Sequence, residues 1–376
     1  MRAIRAFLLS LLTATLLFAS DWKFAEPDYP WSFPRDHWSH REYRTEWWYF
    51  TGHLVTTSQP QRRFGYQFTL FRIGLLTERP NLDSNWATDG LIMGHAAVTD
   101  LAQKEHRFSE LLYREVPLLG EFRRFPDPLV AWVRGPVGSA DRWTLRWNGR
   151  SFDFAMSDDT KGFAFDLRTE PKKPLVLQGP NGFSRKGNEP GAASLYYSFT
   201  RLATEGTLRL DGETFGVRGE SWMDKEFSSS QLTESQVGWD WFSLQLRDGR
   251  ELMLYVLRRK DGAADFRHAT LVSAEGEARY LDSGEWSVRV LDSWESDETG
   301  AVYPSRWTIE VSGEIPAEGL MLDVKPVLPN QENRSGLPGG VYYWEGAVTI
   351  SSPAGEELGQ GYVELTGYGE DNKPPV

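Results

Sequence analysis

Two short runs carry most of the side chains able to do chemistry. The first is Asp36-His37-Trp38-Ser39-His40, followed by Glu46-Trp47-Trp48-Tyr49. Histidines three apart could share a metal. An extended chain does not point them the same way, however, and no further ligand is spaced to help. The plainer reading is an aromatic barrel mouth in which Glu46 is ion-paired. The second run is Trp222-Met223-Asp224-Lys225-Glu226-Phe227, leading to Gly238-Trp239-Asp240-Trp241. Acids among indoles lose water, which raises a carboxyl pKa and makes a proton donor available near neutrality. Asp224 and Glu226 are therefore candidate acid or base, with Tyr255 assisting. The rings of Trp222, Trp239 and Trp241 could stabilise a developing cation. Glu46, Trp47, Trp48, Tyr49 and Asp240 complete the candidate ligand-binding set. The structural alternative is that Asp224 and Glu226 cap a loop or pair with Lys225 and nearby arginines.

Other chemistries lack their residues. There is no Gly-x-Ser-x-Gly elbow, cysteine nucleophile, His-Glu-x-x-His pair or phosphate-binding glycine loop. Ser184-Arg185-Lys186 lacks the Ser-x-x-Lys spacing and reads as a turn with a loop lysine. Neither metal nor cofactor is expected.

The elements that must position these residues read as strands. Trp286 to Val290 alternates apolar and polar, as a half-buried strand should. Leu252 to Leu257 is apolar on both faces, which suits a strand between a core and a second packed surface. Asp211-Gly212 and Asp248-Gly249 are hairpin signals. The stretches 170–174, 178–191 and 326–340 read as loops. Six anchors recur in the same order. Trp47 to Thr51 matches Trp239 to Ser243, and Arg63–Arg72 matches Arg250–Arg259. His95-Ala96 matches His268-Ala269, and Arg142 to Leu145 matches Arg306 to Ile309. Gly162 to Asp166 matches Gly319 to Asp323, and Tyr196-Tyr197 matches Tyr342-Tyr343. The same comparison sets Asp36-His37 against Asp224-Lys225. The expectation is an all-β chain of two tandem antiparallel barrels, residues 21–219 and 220–376, joined near Gly219. A histidine retained in both copies points to architecture rather than catalysis.

Of the 376 residues, 40% are hydrophobic and 25% charged, which fits a globular chain rather than a disordered one. Arg2 and Arg5 precede an apolar stretch from Ala6 to Ala19, the pattern of a cleaved secretory leader over residues 1–20, with an uncleaved N-terminal anchor as the alternative. Cysteine is absent, so disulfides and a lipid anchor on cysteine are excluded. The net charge of −12 disfavours nucleic acid and anionic membranes as partners. A periplasmic or secreted protein without stable membrane insertion is expected.

Several runs resemble the AttH-like family of exported proteins, over nearly all of the chain after the leader. They are Asp36-His37, Glu46 to Gly52, Phe64 to Arg72, Gln178-Gly179, Tyr196 to Ser198, Trp222 to Phe227 and Gly238 to Arg258. The resemblance extends to the superfamily of hydroxyneurosporene synthase, the carotenoid 1,2-hydratase. It implies two lipocalin-like β-barrel domains and association with an ABC transporter. The hydratase pattern Asp-His-Asn-Trp is replaced here by Asp224-Lys225-Glu226-Phe227. Its Tyr-x-Asp is replaced by Tyr255-Val256-Leu257, which lacks the acid. The leading expectation is a carrier of an apolar small molecule or lipid, accessory to an ABC permease. The alternative is a hydratase or related cyclase acting on an apolar polyene by general acid chemistry. A scaffold without a small ligand is the third reading.

Overall fold

A computed structural model describes residues 22–139, 141–312, 319–337, 340–369 and 372–374, and the expected leader lies outside them. Among the described residues there are strands and two short 3-10 turns but no α-helix. The first sheet comprises β1 (Thr45–Thr56), β2 (Arg63–Gly74), β3 (Gly90–Asp100), β4 (Glu105–Arg114), β5 (Gly120–Phe122), β6 (Leu129–Arg134), β7 (Arg142–Trp147), β8 (Phe152–Asp158), β9 (Phe163–Pro171), β10 (Val176–Leu177), β11 (Phe183–Arg185), β12 (Ala193–Leu210) and β13 (Glu213–Ser230). The second comprises β14 (Gln236–Leu246), β15 (Glu251–Arg259), β16 (Ala264–Val272), β17 (Ala278–Leu281), β18 (Trp286–Glu295), β19 (Val302–Val311), β20 (Leu320–Pro326), β21 (Glu332–Arg334), β22 (Tyr342–Ser351) and β23 (Glu357–Leu365). The protein is all-β, with two tandem lipocalin-like antiparallel units.

Each sheet follows one plan. The first runs β4-β3-β2-β1-β13-β12-β9-β8-β7-β6-β5, and the second runs β17-β16-β15-β14-β23-β22-β20-β19-β18. In both, four sequential hairpin strands are followed by a late strand that returns to pair with the first. The sheets curl because alternate side chains demand a common core. Trp48 and Phe50 of β1, Phe122 of β5 and Trp143 of β7 share one buried cluster. Phe242, Leu254, Trp307 and Trp344 share the other. Edge side chains help close the first unit: Ser109 of β4 donates to Asp158 at 2.6 Å, and Tyr113 donates to the Gly135 carbonyl at 3.0 Å.

Three details depart from the sequence expectation. The join near Gly219 falls inside β13, which pairs with β1 from Thr45↔Ser228 to Thr56↔Val217. The chain leaves the first sheet after Ser230 and starts the second at Gln236, so Trp222 to Phe227 belongs to the first unit. The fifth anchor is displaced by one strand, since β8 separates β7 from β9 while β19 pairs directly with β20. Asp36-His37 and Asp224-Lys225 are not equivalent: the former lies in a 3-10 turn before β1, the latter midway along β13. The histidine match does hold in register, with His95 opposite Thr69 and His268 opposite Tyr255.

The two units pack through corresponding faces. Tyr49, Tyr196 and Trp222 of the first meet Trp241, Met253, Tyr255, Leu257, Ala347 and Tyr362 of the second. Polar contacts pin this junction. His53 Nε2 bonds to the Gly361 carbonyl at 2.8 Å, and Gln245 Nε2 donates to the Thr200 and Ser221 carbonyls at 2.8 and 3.0 Å. Strand β15 is apolar on both faces for this reason: Leu252 and Leu254 fill the second core, while Met253, Tyr255 and Leu257 face the junction.

Candidate active site

The period of two along a strand sorts the candidate residues. On β13, Trp222, Asp224 and Glu226 face the junction, while Met223 points into the first core. On β1, Trp47 and Tyr49 face the junction, whereas Trp48 joins the core. On β14, Trp239 and Trp241 face it and Phe242 turns away. A narrow cleft with a cavity volume of about 90 Å³, open to solvent on one side, lies between these faces. Its walls include Trp47, Tyr49, Asp224, Glu226, Trp239, Trp241, Tyr255, Lys186, Tyr196 and Glu364. A second, largely apolar lobe with a cavity volume of about 70 Å³ shares Trp47, Phe71, Trp239 and Glu364 with the first and extends past Met93, His95 and Tyr343.

Asp224 is buried with three donors on its carboxyl. Tyr196 Oη donates to Oδ2 at 2.5 Å, Ser198 Oγ to Oδ1 at 2.5 Å and Trp222 Nε1 to Oδ1 at 2.7 Å. Burial nevertheless raises its pKa to about 7, opposed by those donors and reinforced by nearby Glu226. Trp241 Nε1 donates to Tyr196 Oη at 3.2 Å, so a residue of the second sheet steadies the hydroxyl on Asp224. Glu364 accepts from Trp239 Nε1 at 3.0 Å. Burial, set against that bond and reinforced by Asp224 and Glu226, raises its pKa to about 7.

Glu226 has a different environment. Lys186 Nζ lies 2.7 Å from its Oε1, and Ser194 Oγ donates to the same oxygen. Desolvation would lower the Lys186 pKa, but Glu226 and Tyr255 hold it above the usual lysine value. Its ammonium also sits 4.2 Å above the Tyr255 ring. Tyr255 Oη donates to the Arg185 carbonyl at 2.7 Å and lies 3.1 Å from Ser184 Oγ. One end of the cleft is therefore a buried ion pair, and the walls around Asp224 are aromatic.

Three residues expected to bind ligand turn away from the Asp224 cleft, although Glu46 borders the apolar lobe. Glu46 points to the barrel side, where Arg72 Nε at 2.6 Å, Lys225 Nζ at 2.5 Å and the His40 backbone at 2.9 Å occupy its carboxylate. Trp48 stacks on Phe122 within the first core, with Nε1 donating to the His37 carbonyl at 2.7 Å. Asp240 pairs with Arg258 at 2.7 Å and accepts from Tyr368 Oη at 2.9 Å. In each case the strand's alternation turns the side chain away from its neighbours Trp47, Tyr49, Trp239 and Trp241. His37 and His40 are likewise structural: His37 Nδ1 meets Tyr197 Oη at 2.7 Å, and His40 stacks on Phe227. Among the described residues, no group of three or more His, Asp or Glu is arranged to hold a metal.

Lys186, Tyr196 and Glu364 were not among the expected site residues. Lys186 carries no local signal, because a loop after β11 delivers it. Glu364 does leave one: Tyr362-Val363-Glu364 repeats the aromatic–apolar–acid order of Trp222-Met223-Asp224. The register makes the two triplets equivalent, since Tyr49 pairs with Asp224 on the returning strand β13, and Trp241 pairs with Glu364 on β23.

Comparison with known proteins agrees with this architecture. A family model described as AttH-like matches residues 24–368. The solved structure of an AttH protein from Nitrosomonas europaea is 33% identical with a TM-score of 0.78, covering 92% of this chain and 99% of its own. Kievitone hydratase from Nectria haematococca is 14% identical with a TM-score of 0.63, covering 92% of this chain and 94% of its own, a likeness of fold alone. A protein of Emericella nidulans named dehydratase AsqC is 23% identical over 313 residues, covering 77% of this chain and 86% of its own length.

Proposed function

The chain belongs to the AttH-like family, and from that premise we propose that it is an enzyme of hydratase or dehydratase type. It adds or removes water at a carbon–carbon double bond of an apolar substrate held between the two units. The observation that carries this reading is the Asp224 carboxyl, buried among indoles at the cleft wall with its pKa raised to about 7. A carboxylic acid with that pKa is protonated often enough at neutral pH to donate, and remains acidic enough to transfer the proton. A relative named a dehydratase supports the same chemistry.

In the proposed reaction Asp224 protonates one alkene carbon. Positive charge then develops on the other carbon, faced by the rings of Trp47, Trp239 and Trp241, whose π faces attract a cation. The Lys186–Glu226 pair and the Tyr255 hydroxyl offer a polar end to orient an oxygen-bearing group. The apolar lobe beyond Phe71 suits a short hydrocarbon portion. A role as carrier for an ABC permease draws less support, because the related names point to chemistry. Export to the periplasm or outside the cell, expected from residues 1–20, is retained as part of the proposal.

The test uses linalool and α-terpineol, apolar tertiary alcohols, incubated with the protein in 18O-labelled water at neutral pH. Reversible dehydration exchanges the alcohol oxygen, which mass spectrometry reads directly. Exchange above the uncatalysed rate, lost in Asp224→Asn, is the expected result. Absence of exchange with both alcohols, at concentrations that saturate the cleft by tryptophan fluorescence, would overturn the reading.

A further inference from the structure

The duplication places a second carboxyl in the cleft that one-acid chemistry leaves without a role. Glu364 stands on β23 where Asp224 stands on β13, each opposite a cleft-facing aromatic of the first strand of its unit. Each carboxyl accepts a hydrogen bond from an indole, Trp222 for Asp224 and Trp239 for Glu364. Both line the same cleft, and Glu364 also borders the apolar lobe. Tyr49 Oη is buried at this junction beside the Glu345 carboxyl, which acts on it both by charge and as a hydrogen-bond partner, and Asp224 and Glu364 act on it electrostatically. A hydroxyl has both donor and acceptor capacity, so Tyr49 beside these carboxyls can also bond a water molecule in the cleft.

We propose that Glu364 is the second catalytic carboxyl of the cleft, acting as base toward the water molecule that Asp224's proton transfer calls for. The inference rests on the hydratase reading and assigns that reaction its missing partner. In hydration, the alkene π pair takes the Asp224 proton to form a C–H bond. Water oxygen bonds to the other carbon, and its proton passes to the Glu364 carboxylate. Alkene plus water gives alcohol, and one proton has moved from Asp224 to Glu364. In dehydration the same steps run backward: Glu364 protonates the leaving hydroxyl and Asp224 takes the proton from carbon. Between turnovers the proton returns through solvent at the open mouth.

The surroundings support this exchange of roles. Asp224 faces Tyr196 and Ser198 from β12, Tyr49 from β1, and Glu226 on its own strand, with Lys186 paired to Glu226. Glu364 faces Trp239 from β14 and Glu345 from β22, its direct cross-strand partner. Desolvation, reinforced by Glu364, holds the Glu345 carboxyl well above the usual range, so it stays neutral behind the reacting pair. The two cleft acids share a pKa of about 7, so neither direction of proton transfer is strongly uphill.

The experiment has a substrate-free arm and a kinetic arm. Carboxyl 13C NMR of protein labelled at Asp and Glu should show two side chains titrating near neutrality, one missing in Asp224→Asn and the other in Glu364→Gln. Removing Asp224's charge should lower the midpoint of Glu364. In 18O exchange of linalool, Glu364→Gln should lose on the order of 100-fold or more and one limb of the pH profile. Exchange by Glu364→Gln at the wild-type rate and pH profile would overturn the role of Glu364 while leaving the hydratase reading intact. A Glu364 midpoint indifferent to Asp224→Asn would overturn it without reference to any substrate. Failure of the wild type on both alcohols would instead remove the hydratase reading, and this inference with it.

Discussion

At the scale of single residues, Asp224 sets stability against function. Below a pH of about 4 its carboxyl is protonated in both folded and unfolded chains. Between there and about 7 only the folded chain keeps the proton, because burial has raised its pKa. Stability from this group is therefore full at the acidic end, falls as pH rises through that window, and stays low above it. Asparagine cannot ionise, so Asp224→Asn should gain on the wild type from pH 4 to 7 and keep that lead at pH 8. The gain is at most about 4 kcal/mol, read as urea midpoints at pH 4.5 and 8. The same variant should lose turnover by about 100-fold or more. Equal stability curves at both pH values would rule out a raised Asp224 pKa. Asp224 was legible in the sequence because an acid between aromatics signals desolvation. Glu46 and Asp240 sit among aromatics too, but composition does not say which face of a strand holds the cation. Arg72 and Arg258 meet them on the barrel side.

At the scale of strands, the fold was largely readable and its closure was not. Alternation, the Asp211-Gly212 turn (φ 49° and 85°) and the recurring anchors mark local elements, which depend on neighbours in sequence. The pairing of β13 with β1 joins residues far apart in the chain, and no local signal marks it. Trp222 to Phe227 resembled the start of a new unit because it shares its aromatic and acidic composition with β1, the strand it pairs with. Close packing at the second closure gives a test. A Cβ on Gly361 would lie 2.3 Å from the Ser243 carbonyl and 2.8 Å from Leu244 Cδ2, and the Gly361 carbonyl is the one His53 bonds. Gly361→Ala should force β23 from β14 and destabilise by about 1–3 kcal/mol, measured by denaturant titration. Since Glu364 is on the same strand, exchange activity should fall with it. Wild-type stability in this variant would contradict the packing described for β23.

At the scale of the whole molecule, the two units are held together by buried charge as well as apolar contact. Glu251 of the second unit accepts Lys173 at 2.8 Å and Arg201 at 2.7 Å, both from the first. Glu251→Gln leaves Lys173 facing a neutral amide, while Arg201 keeps Glu220 at 2.6 Å, and should cost about 3 kcal/mol. The wild type should unfold in one transition, with tryptophan fluorescence and far-UV circular dichroism coincident. In Glu251→Gln the midpoint should fall and the two signals should separate. An unshifted, coincident transition would show that these charges do not couple the units. The duplication was visible in the sequence, but the use of the same face by both copies was not, since faces are defined only once register is known. That shared face has a consequence for descent. Two identical barrels meeting this way would form a symmetric homodimer, with equal acids on either side of its axis. Within one chain each acid is encoded separately and can differ. Ser198 lies opposite Asp224, whereas Glu345 lies opposite Glu364. What a dimer must keep identical, this chain has made into two unlike halves of one cleft.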